Sequence, residues 1–86
     1  MDYLMTDDEI IARIKKVITN HAGIDESKIK METSFYDDLN ADSLDIIELI
    51  LRFEEAFKID MSDEASLELK TVEDMFKYVK NKVGKN

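Results

Sequence analysis

Three features of the sequence predict an all-helical fold. There is no proline and only two glycines, Gly23 and Gly84, in 86 residues, too few turn formers for hairpins that depend on Asn-Gly or Gly-rich turns. Helix-start signals, a hydroxyl or Asp followed three residues later by an acid, recur at Thr6-Glu9, Asp42-Asp45 and Thr71-Asp74. The apolar residues after each signal then repeat at helical spacing.

The first helix is predicted over 7–22. Thr6 and Glu9 form a capping box, and the acids of the first turn suit the positive end of the helix dipole. Ile10, Ile11, Ile14, Val17 and Ile18 make one buried stripe, with Arg13, Lys15 and Lys16 facing water. Gly23 ends the helix as a left-handed cap. His21, the only histidine, lies in the last turn, where the dipole favours a cation. With no partner nearby in sequence it reads as a capping residue, and no metal ligand set is expected.

From Ile24 to Ala41 no helical period is sustained. Ile24, Ile29, Met31, Phe35 and Leu39 are scattered through polar sequence, which predicts a long structured loop packed onto the core. Loops of this length inside a small domain are uncommon unless functional.

The second helix is predicted over 43–57, with Asp42 as its N-cap. On a wheel of about 100° per residue, Ile46, Leu49, Ile50, Phe53 and Phe57 fall within about 60° of one direction, the core stripe. Leu44, Ile47 and Leu51 form a second apolar stripe at about 100° to 160° from Ile46 on the same wheel. Either another segment covers these residues, or they form an exposed strip rimmed by carboxylates, the layout of a docking surface. A short, weak helix over 63–69 and a last helix over 72–83 complete the pattern. In the last, Val72, Met75, Phe76 and Val79 share one face, Tyr78 lies alongside, and lysines gather toward the C-terminal end.

The length fits a single domain over 1–86. With 44% hydrophobic and 37% charged residues the chain is globular in class. The absence of cysteine excludes disulfides, a thiolate nucleophile and cysteine-based zinc sites. The acidic start MDYLMTDDE lacks a basic n-region, and no apolar run approaches the length of a membrane span. A soluble, unexported, cytoplasmic protein without stable membrane insertion is expected. The net charge is −8, and residues 37–68 carry eleven acids against Arg52 and Lys58, a net of −9, so the rest nets +1. Such a concentrated acidic face repels nucleic acid and attracts basic partner surfaces, unless it is simply solvated charge.

Catalysis finds little support. Around Ser43 there is no Gly-x-Ser-x-Gly elbow and no neighbouring His or Lys to take its proton, and nearby carboxylates disfavour an alkoxide. Asp38-x-Asn40-x-Asp42 imitates the first three ligand positions of an EF-hand. The match fails at Ser43, where the turn needs Gly, and at Leu49, where a bidentate Glu is needed. A helix-start serine with no means of activating itself is either plain surface or the target of another enzyme.

The run Phe35-x-x-Asp38-Leu39-x-Ala41-Asp42-Ser43-Leu44-Asp45, followed by Glu48-Leu49 and Phe53-Glu54-Glu55-x-Phe57, resembles the acyl carrier proteins, in particular the stand-alone type of bacterial fatty acid synthesis. The likeness continues through Ile59-x-Met61-x-Asp63-Glu64, Thr71-Val72 and Tyr78. Asn40 stands where that family usually has Gly, Ser62 where Pro is common, and Arg52 adds a cation to the second helix. The resemblance implies a four-helix bundle with a short third helix and a non-enzymatic carrier. It implies a 4′-phosphopantetheine arm, transferred from coenzyme A to Ser43 by a phosphopantetheinyl transferase that reads Asp42. Acyl groups would then ride the arm as thioesters between enzymes of fatty acid synthesis. Docking on basic enzyme surfaces would use Leu44, Asp45, Ile47, Glu48, Leu51 and Glu55. Phe35, Ile46, Phe53, Met61, Leu69, Met75 and Tyr78 would line an acyl pocket, and the chain would be a monomer. The alternatives are a specialised carrier for another acyl, polyketide or aminoacyl pathway, or an acidic calcium-responsive interaction module.

Overall fold

Helix starts in this chain are set by side chains that satisfy the first free amides. A computed structural model describes residues 5–61 and 68–83, and the short helix expected over 63–69 lies largely outside the described residues. Thr6 and Glu9 cap α1 (Asp7–Ala22) reciprocally, and Asp42 and Asp45 do the same for α2 (Ser43–Phe57). At the start of α3 (Val72–Val83) the Thr71 hydroxyl accepts the Asp74 N–H at 3.2 Å, and the Asp74 carboxylate accepts the Lys70 and Thr71 N–H groups at 3.0 and 3.1 Å. Among the described residues the fold is all-helical: three α-helices, one 3-10 turn at Glu26–Lys28, and no strand beyond an isolated antiparallel bridge between Ser34 and Thr71.

The helix ends also follow local chemistry. Gly23 closes α1 at φ 72°, its N–H donating to the Thr19 carbonyl. Lys58 closes α2 at φ 55°, a left-handed conformation taken without the freedom of glycine. The chain leaving α2 is held by Glu54, whose carboxylate accepts the Met61 N–H at 2.9 Å.

Helix α1 packs against both α2 and α3. Its Ile10, Ile14 and Ile18 are fully buried, while Ile11 and Val17 are half-buried at the edge of the stripe. Arg13 donates to the Ala56 carbonyl at 3.0 Å and lies 5.8 Å from the centre of the Phe57 ring, joining α1 to the end of α2. The start of α1 meets the end of α3 through the Met5 N–H on the Val83 carbonyl and an Asp7–Lys80 ion pair at 3.2 Å.

The long first loop behaves as a structural element. Its backbone is tied to the start of α3 by Glu73 N–H to Met31 carbonyl, Val72 N–H to Thr33 carbonyl and Phe35 N–H to Lys70 carbonyl, all 2.9–3.0 Å. Ile29 and Phe35 are thereby buried, and Ile24, Met31 and Leu39 pack against the core. The 3-10 turn, which no periodicity announces, is capped by Asp25. Its carboxyl is held below the usual carboxylate range by the Ser27 N–H, at 2.9 Å, and by the Ser27 hydroxyl.

The two faces of α2 should differ sharply in energy. Phe53 is 0% exposed and meets Phe35 edge-to-face at 6.5 Å, so Phe53→Ala should lower unfolding free energy by about 3–5 kcal/mol. Leu51, two residues away and 56% exposed, should change it by less than about 0.5 kcal/mol when replaced by Ala. Urea titration of both variants checks the contrast.

Candidate functional site

The approach to α2 is narrow and well tied. The Ser34 N–H donates to the Asp38 carboxylate at 2.7 Å, the Ser34 hydroxyl accepts the Asp37 N–H, and the Ala41 N–H donates to the Phe35 carbonyl. Between these anchors Asn40 turns the chain at φ 52°. Asn tolerates that left-handed geometry better than most residues, so it serves where glycine would be the easy choice. Asp42 then caps the helix: its carboxylate accepts the Asp45 N–H at 2.9 Å, and the Asp45 carboxylate accepts the Asp42 N–H at 3.2 Å.

Ser43 follows as the first residue of α2. It is exposed, and its hydroxyl has no hydrogen-bond partner among the described residues. The contrast with Ser34, whose hydroxyl holds the loop, is direct. With no base hydrogen-bonded to it, Ser43 offers an unactivated alcohol on a rigid mount.

Along the same helix Leu44, Ile47 and Leu51 are 70%, 52% and 56% exposed. Among the described residues, neither the loop nor another segment covers them. Glu48 and Glu55 are exposed beside them, Asp45 is half-buried, and Arg52 is an exposed cation in the same series. Tyr36, 44% exposed on the loop, is a further large apolar side chain facing solvent; with no period in the loop, nothing in the sequence marked it.

On the buried side a small cavity is lined by Phe35, Ile46, Leu49, Ile50, Phe53, Leu69 and Met75. The space open to the centre of a water-sized sphere is about 10 Å³, room for roughly one water. Five residues expected at an acyl pocket, Phe35, Ile46, Phe53, Leu69 and Met75, are in this lining. Met61 and Tyr78 are not. Met61 is buried where Glu54 anchors the chain after α2, and Tyr78 lies off the buried Val72, Met75, Val79 stripe of α3, half-buried with the Lys82 ammonium 5.7 Å from its ring centre. Leu49 and Ile50, expected only as core, complete the wall.

His21 also changes standing. Ligand atoms of His21, Asp45 and Glu48 all lie within 4.8 Å of one another, so the histidine that had no partner in sequence gains two carboxylates from α2. The helix packing that joins them is invisible to local spacing.

Comparison with known proteins places this geometry. Residues 12–79 match the family described as "Phosphopantetheine attachment site". The chain is 42% identical over 78 residues to a protein called "Acyl carrier protein" from Trieres chinensis, covering 91% of this chain and 98% of that one. It is 42% identical over 80 residues to a protein of the same name from Thermosynechococcus vestitus, covering 93% and 99%. A third of that name, from Clostridium acetobutylicum, is 48% identical over 71 residues, 83% of this chain and 92% of its own. Similarity of this extent, running through the Asp42-Ser43-Leu44 turn and all three helices, establishes that the chain belongs to the acyl carrier protein family, whose members carry a phosphopantetheine arm.

Proposed function

We propose that this chain carries acyl intermediates of fatty acid synthesis as thioesters, with Ser43 as the residue that bears 4′-phosphopantetheine. The observation that supports it most is the exposed, unpartnered Ser43 hydroxyl at the first position of α2 in a chain of this family. When bound, the arm supplies a terminal thiol, which a chain without cysteine otherwise lacks.

The chain's own residues then have distinct tasks. Asp42 and Asp45, locked to each other's backbone, hold the turn so that a transferase meets Ser43 in one orientation. Because the Asp45 N–H is already occupied and two carboxylates flank the serine, a phosphodiester there points into solvent. Leu44, Ile47 and Leu51 supply apolar contact, and Asp45, Glu48 and Glu55 supply charge for basic surfaces of partner enzymes. The lined cavity is the entry for an acyl chain, which must part its walls because the resting space is about one water. The reading includes a four-helix bundle, a single domain, a monomeric state and a cytoplasmic location. Arg52, an exposed cation on the docking helix, favours as a second reading a carrier specialised for a narrower set of partners.

Incubation with coenzyme A and a phosphopantetheinyl transferase should add one phosphopantetheine to the native chain by intact mass and none to Ser43→Ala. No gain on the native chain, or an equal gain on the variant, rejects the assignment and leaves an acidic interaction module. Charge reversal at Glu48 should slow partner association several-fold at low salt and much less at high salt, measured with a chelator present. An unchanged rate at both would remove Glu48 from the docking surface. On loading with a medium-length saturated chain, methyl resonances of Leu49, Ile50 and Leu69 should shift while those of Leu44 and Leu51 stay in place.

A further inference from the structure

We propose that His21, Asp45 and Glu48 form a binding site for a borderline transition-metal dication of the Zn²⁺ class. The three side chains come from the end of α1 and one turn of α2, and their ligand atoms lie within 4.8 Å of one another. Ligands held at about 2.0–2.1 Å around a tetrahedral ion stand about 3.3 Å apart, so a small side-chain rotation closes the set. One imidazole nitrogen with two carboxylate oxygens suits Zn²⁺, whereas Ca²⁺ and Mg²⁺ prefer oxygen alone.

Three further observations favour occupancy. Asp45 is oriented in advance, since one of its oxygens accepts the Asp42 N–H at 3.2 Å and the other is left for an ion. His21 stands in the last turn of α1, where the dipole favours positive charge. An open cleft lined by His21, Ala22, Leu39, Ala41, Asp45 and Leu49 leaves room for the waters that complete coordination around three protein ligands. Binding would neutralise Asp45 and Glu48 and so weaken partner docking; that consequence rests on the docking role proposed above, while the site itself does not.

The test is calorimetric titration of the full native chain, without the arm, with zinc chloride in a non-coordinating buffer. One saturable site is expected. His21→Gln and Glu48→Gln, with helicity verified by circular dichroism, should each weaken it about tenfold or more. Calcium binding should be indifferent to His21→Gln, and the His21 ring resonances should move on zinc addition. Absence of saturable zinc binding, equal affinity in His21→Gln, or unmoved His21 resonances would overturn the proposal. The measurement needs no transferase or partner, so its failure is separate from failure of the carrier reading.

Discussion

A strap of backbone hydrogen bonds between the first loop and the start of α3 holds core and site in one arrangement. Three such bonds, from Glu73, Val72 and Phe35, hold an aperiodic segment against a helix terminus. Each satisfies polar groups that burial would otherwise leave costly. The strap carries Phe35 into the core, where it meets Phe53 of α2 and shares a cavity wall with Leu69 and Met75. It also fixes the distance from which Asn40 must turn the chain into Asp42. The serine at the head of α2 is thus positioned by a loop that is itself bonded to α3.

Helix α2 serves two environments at once. Its Ile46, Leu49, Ile50, Phe53 and Phe57 are buried, which anchors the helix and leaves its opposite side free of structural duty. Leu44, Ile47 and Leu51 are exposed at a hydrophobic cost that folding does not recover. A strip of this kind is what a protein interface covers, and Glu48 and Glu55 stand exposed beside it. Because the burial that holds α2 lies on the face away from the strip, changes to the strip should have little effect on stability.

Asp45 links three roles through one carboxyl group. It completes the capping box with Asp42, stands next to the exposed strip, and faces His21 across the α1–α2 contact. A helix cap is satisfied by one oxygen, which leaves the second for a partner or an ion. One carboxyl group beside Ser43 thus completes a helix start and lies close to side chains of both α1 and α2.

Much of this was legible in the sequence because it is written in local physics. Capping pairs, a glycine past the last helical turn, and 3.6-residue periodicity depend only on residues a few positions apart. They marked 7–22, 43–57 and 72–83 as helices, and they showed that α2 has more apolar surface than one core needs. The Ser43 motif was equally local. Contacts between distant segments were not: the strap that buries Phe35, the inclusion of Leu49 and Ile50 and the exclusion of Met61 and Tyr78 from the cavity wall, and the approach of His21 to Asp45 and Glu48 all depend on how helices and loop pack in three dimensions. Local spacing is enough to say where helices begin, which faces are apolar and which serine heads the second helix. That no described segment covers the second apolar strip, and which side chains meet across the core, is settled by packing between elements, which leaves no periodic trace within any one of them.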